Sequence, residues 1–275
     1  MVRVEMLAVG KELLIGRTLN TNAHWIGKRL ARLGTMLKQV TTVDDDLTEI
    51  ASSFRAVTER APDFLIVVGG LGPTPDDMTL KGVADALGVG LRMNAGALGL
   101  MRAHYARRGM ADVVLTPARL KMARLPVGAE PVVNETGTAP GVRLAAGKTT
   151  VFCLPGVPAE MRGIFRRAVE PEIRARVGKL YRRYITMKLE GVLESAFAPV
   201  IEEALRRHPE AYVKSHPRGL REGVSRMELD IAVVGESKEW TDREGAAIRD
   251  EMERGVAGLG GRARAVRKRG GREGP

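Results

Sequence analysis

Five consecutive apolar residues, Phe64-Leu65-Ile66-Val67-Val68, run directly into Gly69-Gly70-Leu71-Gly72-Pro73-Thr74-Pro75-Asp76-Asp77. A strand with no polar side must be covered on both faces, which places it in the middle of a parallel sheet flanked by helices. The glycine-rich segment then lies at the carboxyl edge of that sheet, where open α/β folds hold their ligands.

The flanking pattern supplies the rest of such a sheet. Strands are predicted over residues 2–9 and 36–43, and helices over 21–33, with Ile26, Leu30 and Leu33 inward, and over 47–60. After the glycine segment come helices at 79–87, 95–108 and 116–123, strands at 131–133, 142–145 and 150–154, and a helix over 159–176. From residue 181 the order becomes βαββαβ, with strands at 184–190, 212–215, 224–234 and 263–266, which predicts a split-βαβ sheet with helices on one face. The expected organisation is an open, mostly parallel α/β sheet flanked by helices over 1–178, a small α+β split-βαβ domain over 179–266, and a basic, disordered tail over 267–275. A chain of 275 residues has room for about two such cores.

Composition removes several alternatives. No apolar run approaches the roughly 20 residues of a membrane helix, and the start of the chain shows no secretion signal, so a cytoplasmic protein without a membrane partner is expected. A single cysteine and scattered His24, His104, His208 and His216 leave oxygen atoms as the main ligands for any metal. Almost half of the net charge of +11 sits at the end, where residues 262–275 carry six Lys/Arg against one Glu. Such a tail binds phosphate backbones weakly and salt-sensitively, and an aromatic content of 4% offers few stacking surfaces, so sequence-specific nucleic-acid binding is not expected.

The glycine segment is suited to phosphate. Glycines permit close approach, backbone N–H groups point at the anion, and the next helix presents its positive end. Neither standard nucleotide fingerprint applies: Pro75 stands where a dinucleotide fold needs its third glycine, and the spacing within Gly141–Thr149 is one residue too long for a P-loop. Asp76 and Asp77 precede a helix and one of them suffices to cap it. Two adjacent carboxylates beside a phosphate repel it unless a divalent cation lies between, and carboxylate plus phosphate oxygens are the ligand set of Mg²⁺. Asp44-Asp45-Asp46 reaches the same edge, with Asp45 and Asp46 read as helix cap and solvated neighbour. Two further turns, Asn134–Gly141 and Pro155–Met161, follow strands and, taken alone, read as ordinary turns.

Gly10-Lys11-Glu12-Leu13-Leu14, Asn20-Thr21-Asn22, Thr42-Val43-Asp44-Asp45, Gly69 to Thr79, Asn134 to Gly141 and Leu154 to Met161 resemble, in order, the blocks of the CinA competence/damage-inducible family. The resemblance implies a first domain with the molybdopterin-binding fold of MoaB, MogA and gephyrin, followed by a KH-like module that here lacks a GxxG loop, Pro217-Arg218-Gly219-Leu220 being the nearest candidate. Lys11 departs from the family's usual Asp, Thr or Asn. The chain stops before the nicotinamide mononucleotide deamidase domain of many relatives, so no deamidation is expected.

The resemblance further implies a metal-dependent pyrophosphatase that splits ADP-ribose into AMP and ribose 5-phosphate. Asp77, with Asp76 or Asp44, would hold Mg²⁺, Mn²⁺ or Co²⁺ and serve the catalytic step. Glu12, Asn20, Gly69, Gly70, Gly72, Pro73, Thr74, Thr79, Asn134, Gly137, Thr138, Gly141, Pro155 and Gly156 would bind the substrate, a nucleotide or a pterin, in a homo-oligomer. The alternative is a molybdopterin-binding or adenylating role in molybdenum cofactor assembly, and a third possibility is a nucleic-acid-binding module built on the KH-like domain and tail.

Overall fold

The structure, a computed structural model, describes residues 2–266. The proposed tail at 267–275 lies outside the described residues. The chain divides between Gly178 and Lys179 into two compact units.

The first unit opens with β1 (Arg3–Val9), a single helical turn α1 (Lys11–Leu14), α2 (Thr21–Leu33), β2 (Met36–Val43), α3 (Leu47–Glu59) and the fully buried β3 (Phe64–Val68). It continues through α4 (Thr79–Leu87), β4 (Leu91–Met93), α5 (Ala95–Arg107), α6 (Pro117–Lys121), β5 (Arg124–Pro126), β6 (Glu130–Val132), β7 (Gly141–Ala146) and β8 (Thr149–Leu154). The long final helix is interrupted. It runs as α7 (Pro158–Ile164), a π-helical turn (Phe165–Val169) and α8 (Glu170–Val177).

The main sheet has the order β2-β1-β3-β8-β7-β6. β2, β1, β3 and β8 are parallel, while β7 and β6 return antiparallel. The apolar pentapeptide therefore sits between β1 and β8, in the position its composition demands. One face is covered by α2, α7, the π-helical turn and α8 through Ile26, Leu30, Met161, Phe165 and Ile173. The other is covered by α3, α4 and α5 through Ile50, Phe54, Val83 and Met101. From β1 the chain moves outward to β2 and then crosses back to β3, so the topology switches between β1 and β3 and opens a crevice at their carboxyl ends.

Besides the interrupted final helix, two features depart from the sequence reading. The short pair β4–β5 forms a separate antiparallel ribbon where no strand is expected. In the second unit, the short strand expected at 212–215 is an eleven-residue strand.

That second unit comprises β9 (Tyr181–Glu190), α9 (Glu194–Arg207), β10 (Ala211–Arg221), β11 (Val224–Gly235), α10 (Lys238–Gly258) and β12 (Arg262–Val266). Its antiparallel sheet has the order β10-β11-β9-β12. The βαββαβ order with this strand arrangement is that of a ferredoxin-like split-βαβ unit. Residues 217–220 lie within β10 beside an irregularity in its register, where Gly219 has φ +78°. Among the described residues no helix is long and apolar enough to cross a membrane.

Candidate functional site

The crevice at the β1/β3 switch point has a volume of about 570 Å³. Its floor comes from three strand ends. Gly10 N–H donates to Val43 O and Gly69 N–H to Leu154 O, both at 3.0 Å, which ties the end of β1 to that of β2 and the end of β3 to that of β8. Gly69 and Gly70 turn with φ of +111° and +64°. A Cβ on Gly69 would stand 2.1 Å from Val9 O, so only glycine fits where the loop leaves the sheet. The N–H groups of Gly70, Leu71 and Gly72 make no hydrogen bond among the described residues. Consecutive free amides of this kind form an anion-binding concavity.

The loop is braced from behind. Thr79, fully buried, donates its hydroxyl to Gly69 O at 2.8 Å and its N–H to Gly70 O at 3.2 Å. Asp77 does not cap α4, whose N-cap is Met78 with no side-chain bond. Its carboxylate turns back on Thr74, accepting from the backbone N–H at 2.8 Å and the hydroxyl at 2.5 Å. Lys121 Nζ reaches Thr74 O across the loop. Hydrogen bonding to Thr74 and to its own N–H, with Lys121 nearby, holds Asp76 below the ordinary aspartate range.

The three aspartates after β2 separate into distinct roles. Asp46 caps α3, accepting from Thr48 and Glu49 N–H at 2.8 and 3.0 Å. Asp44 pairs with Lys11 Nζ at 3.1 Å, and that hydrogen bond together with one from Asp45 N–H lowers its pKa. Asp45 instead lines the crevice. Burial raises its pKa against the bond from Lys11 N–H at 2.9 Å, and the negative Glu12, Asp76 and Asp44 raise it further.

Of the residues expected at the site, Glu12, Gly69, Gly70, Gly72, Pro73, Asp76, Asp77, Thr138, Pro155 and Gly156 line the crevice. Asn20 caps α2, accepting from Ala23 N–H at 2.9 Å, and lines a smaller adjoining cavity shared with Glu12 and Gly156. Thr74 and Thr79 act as struts. Asn134 lies beneath the surface: Nδ2 donates to Ala139 O at 2.8 Å and Glu160 Oε2 at 2.7 Å, and Oδ1 accepts from Thr136 and Gly137 N–H. A Cβ on Gly137 would collide with Glu160, while Gly141 packs under Ile164 on β7. These residues shape the second turn and do not line the crevice. The pairing of Asp44 with Lys11 likewise places it outside the lining.

The sequence reading missed Asp45, Glu160, Tyr105 and Arg119 as crevice residues. Arg119 lies over the Tyr105 ring, 5.3 Å from its centroid, and the two form one wall. Neither lies in a glycine block, and only the fold brings α5 and α6 to this edge.

A family described as a probable molybdopterin binding domain matches residues 5–175. The chain belongs to this family. The molybdopterin-binding domain thus coincides with the first unit and contains the whole crevice. A protein from Aeropyrum pernix is 43% identical over 261 residues, covering 94% of this chain and 95% of that one. Protein PAE0875 of Pyrobaculum aerophilum is 44% identical over 234 residues, 85% and 86% of the two chains. These relatives extend across both units. The crystal structure of the protein CinA, of unknown function, from Thermoplasma acidophilum is 42% identical with a TM-score of 0.56, covering 62% of this chain and 98% of that one.

In the molybdopterin-binding domain, Glu12, Asp45, Asp76, Asp77 and Glu160 face the crevice against Arg119. Among the described residues no group of three or more His, Cys, Asp or Glu side chains could hold a metal ion by itself. Mg²⁺ does not require such a cage, since it is commonly held by one or two carboxylates, phosphate oxygens and water. The donor set therefore fits a cation that arrives with a phosphate-bearing ligand.

Proposed function

We propose that the first unit binds a phosphorylated pterin of the molybdopterin type together with a divalent cation, at the carboxyl ends of β1 and β3. The observation carrying this reading is the excess of carboxylates around free loop amides. Gly70, Leu71 and Gly72 offer N–H groups to a phosphate, yet Asp45, Asp76 and Asp77 surround them with negative charge. A bare phosphate would be repelled at that place, and Mg²⁺, Mn²⁺ or Co²⁺ would offset the repulsion when bound. The planar Arg119 guanidinium, laid over the buried Tyr105 ring, supplies a flat cationic wall for a heterocycle, and membership of the molybdopterin-binding family supports a pterin. Calorimetry with molybdopterin, with and without Mg²⁺, tests this. Binding that requires the cation is expected, and cation-independent or absent binding overturns it.

A second reading is hydrolysis of a pyrophosphate, ADP-ribose giving AMP and ribose 5-phosphate. It is favoured by Asp45, a partly desolvated carboxylate of raised pKa placed where it could take a proton from water. Release of AMP from ADP-ribose in the presence of Mg²⁺, Mn²⁺ or Co²⁺, lost in the Asp45→Asn protein, would establish it. For the second unit, kinship with KH-like modules rests on the sequence resemblance alone. Its two helices are separated by β10 and β11, so no glycine loop joins them to clamp a nucleic-acid backbone.

A further inference from the structure

The second unit turns one face of its sheet toward its helices, where Phe197, Ile248 and Met252 pack with Met187, Leu229 and Ile231. Alternation sends the intervening side chains to the opposite face. There the strand register sets Tyr212, Ala232 and Tyr184 in one row across β10, β11 and β9. The two tyrosines are 58% and 60% exposed. Two interstrand spacings, roughly 9.6 Å, separate their backbones, and the side chain between them is a single methyl group.

The charge on this face is unbalanced. Glu228 is paired with Arg218 at 2.5 Å and Glu190 with Arg226 at 3.3 Å. Asp230 accepts from the Thr186 hydroxyl at 2.6 Å and lies 3.4 Å from His216. Lys188 and Lys214, on the same face, and Arg262 and Arg264 of β12, placed by register beside Glu190 and Lys188, are then cations in excess. The sequence continues past β12 with Arg267, Lys268 and Arg269.

We propose that this face binds single-stranded RNA, with Tyr184 and Tyr212 each stacking a base and Lys188, Arg262 and Arg264 drawing in the phosphates. A four-stranded antiparallel sheet presenting exposed aromatic rings is a surface on which unpaired bases stack, and every base has a π face, so binding is tolerant of sequence. The cations favour a polyanion over a neutral peptide. Asp230, the next residue of β11 on this face beyond the row of the rings, can accept a hydrogen bond from a ribose 2′-hydroxyl, which DNA lacks. This binding is independent of the ligand of the first unit.

Fluorescence anisotropy of the full chain with a short, labelled, mixed-sequence RNA tests the proposal, with the same DNA strand and the RNA duplex as competitors. Single-stranded RNA should bind best, and Tyr184→Leu and Tyr212→Leu should each weaken it about ten-fold at physiological salt. Tyr→Phe at either position should restore it, because the ring is kept. Replacing Arg267, Lys268, Arg269 and Arg272 by serine should weaken binding at low salt while preserving its dependence on the tyrosines. Melting curves check each variant, and should the leucine proteins unfold, the paired Lys188→Ala and Arg264→Ala change must weaken binding instead. Failure of the wild type to bind, equal affinity for DNA or duplex, or affinity unchanged by both leucine substitutions or by the substituted cations would overturn the proposal.

Discussion

Asp77 closes the glycine loop on Thr74, accepting from its N–H at 2.8 Å and its hydroxyl at 2.5 Å through one carboxylate oxygen. That single oxygen holds the turn while the other remains available to a ligand or cation. An amide can take over the clasp, because its oxygen accepts both bonds, but it is a poor ligand for a hard cation. Asp77→Asn should therefore melt within about 1 kcal/mol of the wild type and show weaker Mg²⁺-dependent pterin binding by calorimetry. Asp77→Ala should lose binding and loosen the loop together. If the asparagine protein binds its ligand with unchanged cation dependence, Asp77 is a clasp and nothing more.

Gly69 and Gly156 face each other across the floor of the crevice but should respond differently to a methyl group. At Gly69, φ is +111° and a Cβ would meet Val9 O at 2.1 Å, so Gly69→Ala should destabilise the first unit by at least about 1 kcal/mol. At Gly156 the nearest atom to a Cβ is Gly69 Cα at 3.5 Å, an ordinary contact. Gly156→Ala should melt within about 0.5 kcal/mol of the wild type while weakening ligand binding, because its methyl enters the floor. Thermal melts and calorimetry on the two proteins read both effects, and equal loss of stability would contradict the geometry.

What could be read in advance follows from the range of the forces involved. Phe64–Val68 revealed its place because burial on both faces leaves a continuous apolar record. The expectation that Asp44 faces the ligand while Asp45 is solvated had no such support. Neighbouring loop residues have no periodicity, and the arrangement depends on Lys11 pairing with Asp44 and offering its N–H to Asp45. β4 and β5 have three residues each, too few to show alternation. Pro217 and Gly219 read as turn residues and hid the outer half of β10, whose register irregularity accommodates them in an edge strand. Tyr105 and Arg119 reach the crevice by tertiary packing, for which sequence spacing carries no signal.

His208 ends α9 and bridges to α10, with Nδ1 2.6 Å from Glu244 and Nε2 3.3 Å from Glu251, whose carboxylate also meets Arg207 at 3.1 Å. Burial alone would lower its pKa, but the two carboxylates outweigh burial and hold it above the ordinary histidine value. A raised pKa means that the folded second unit holds this proton more tightly than the unfolded chain does. Its contribution to stability is then fully present below the unfolded pKa, roughly 6.5, and is lost as pH rises through the folded value. Melting curves across this window should show the second unit weakening on the alkaline side, and His208→Asn should flatten the dependence. A wild type that gains stability with rising pH there would refute the assignment.

Asp45 gives the opposite test in the first unit. Burial, reinforced by Glu12, Asp76 and Asp44, raises its pKa, so its ionised form is disfavoured in the folded protein. Stability from this group is greatest at low pH and declines as pH rises from the unfolded aspartate value through the higher folded one. Asp45→Asn keeps an oxygen to accept the Lys11 N–H, now at 2.9 Å, and removes the charge. Without divalent cations the variant should melt above the wild type at neutral pH and alongside it in acid. Added Mg²⁺ or Mn²⁺ with a phosphate-bearing ligand should raise the wild-type melting temperature by offsetting the carboxylate repulsion, and should raise that of the variant less. A variant that is less stable than the wild type at neutral pH, or that gains equally from the cation, would show that Asp45 is a structural acceptor for the α1 turn and that cation binding depends on other groups.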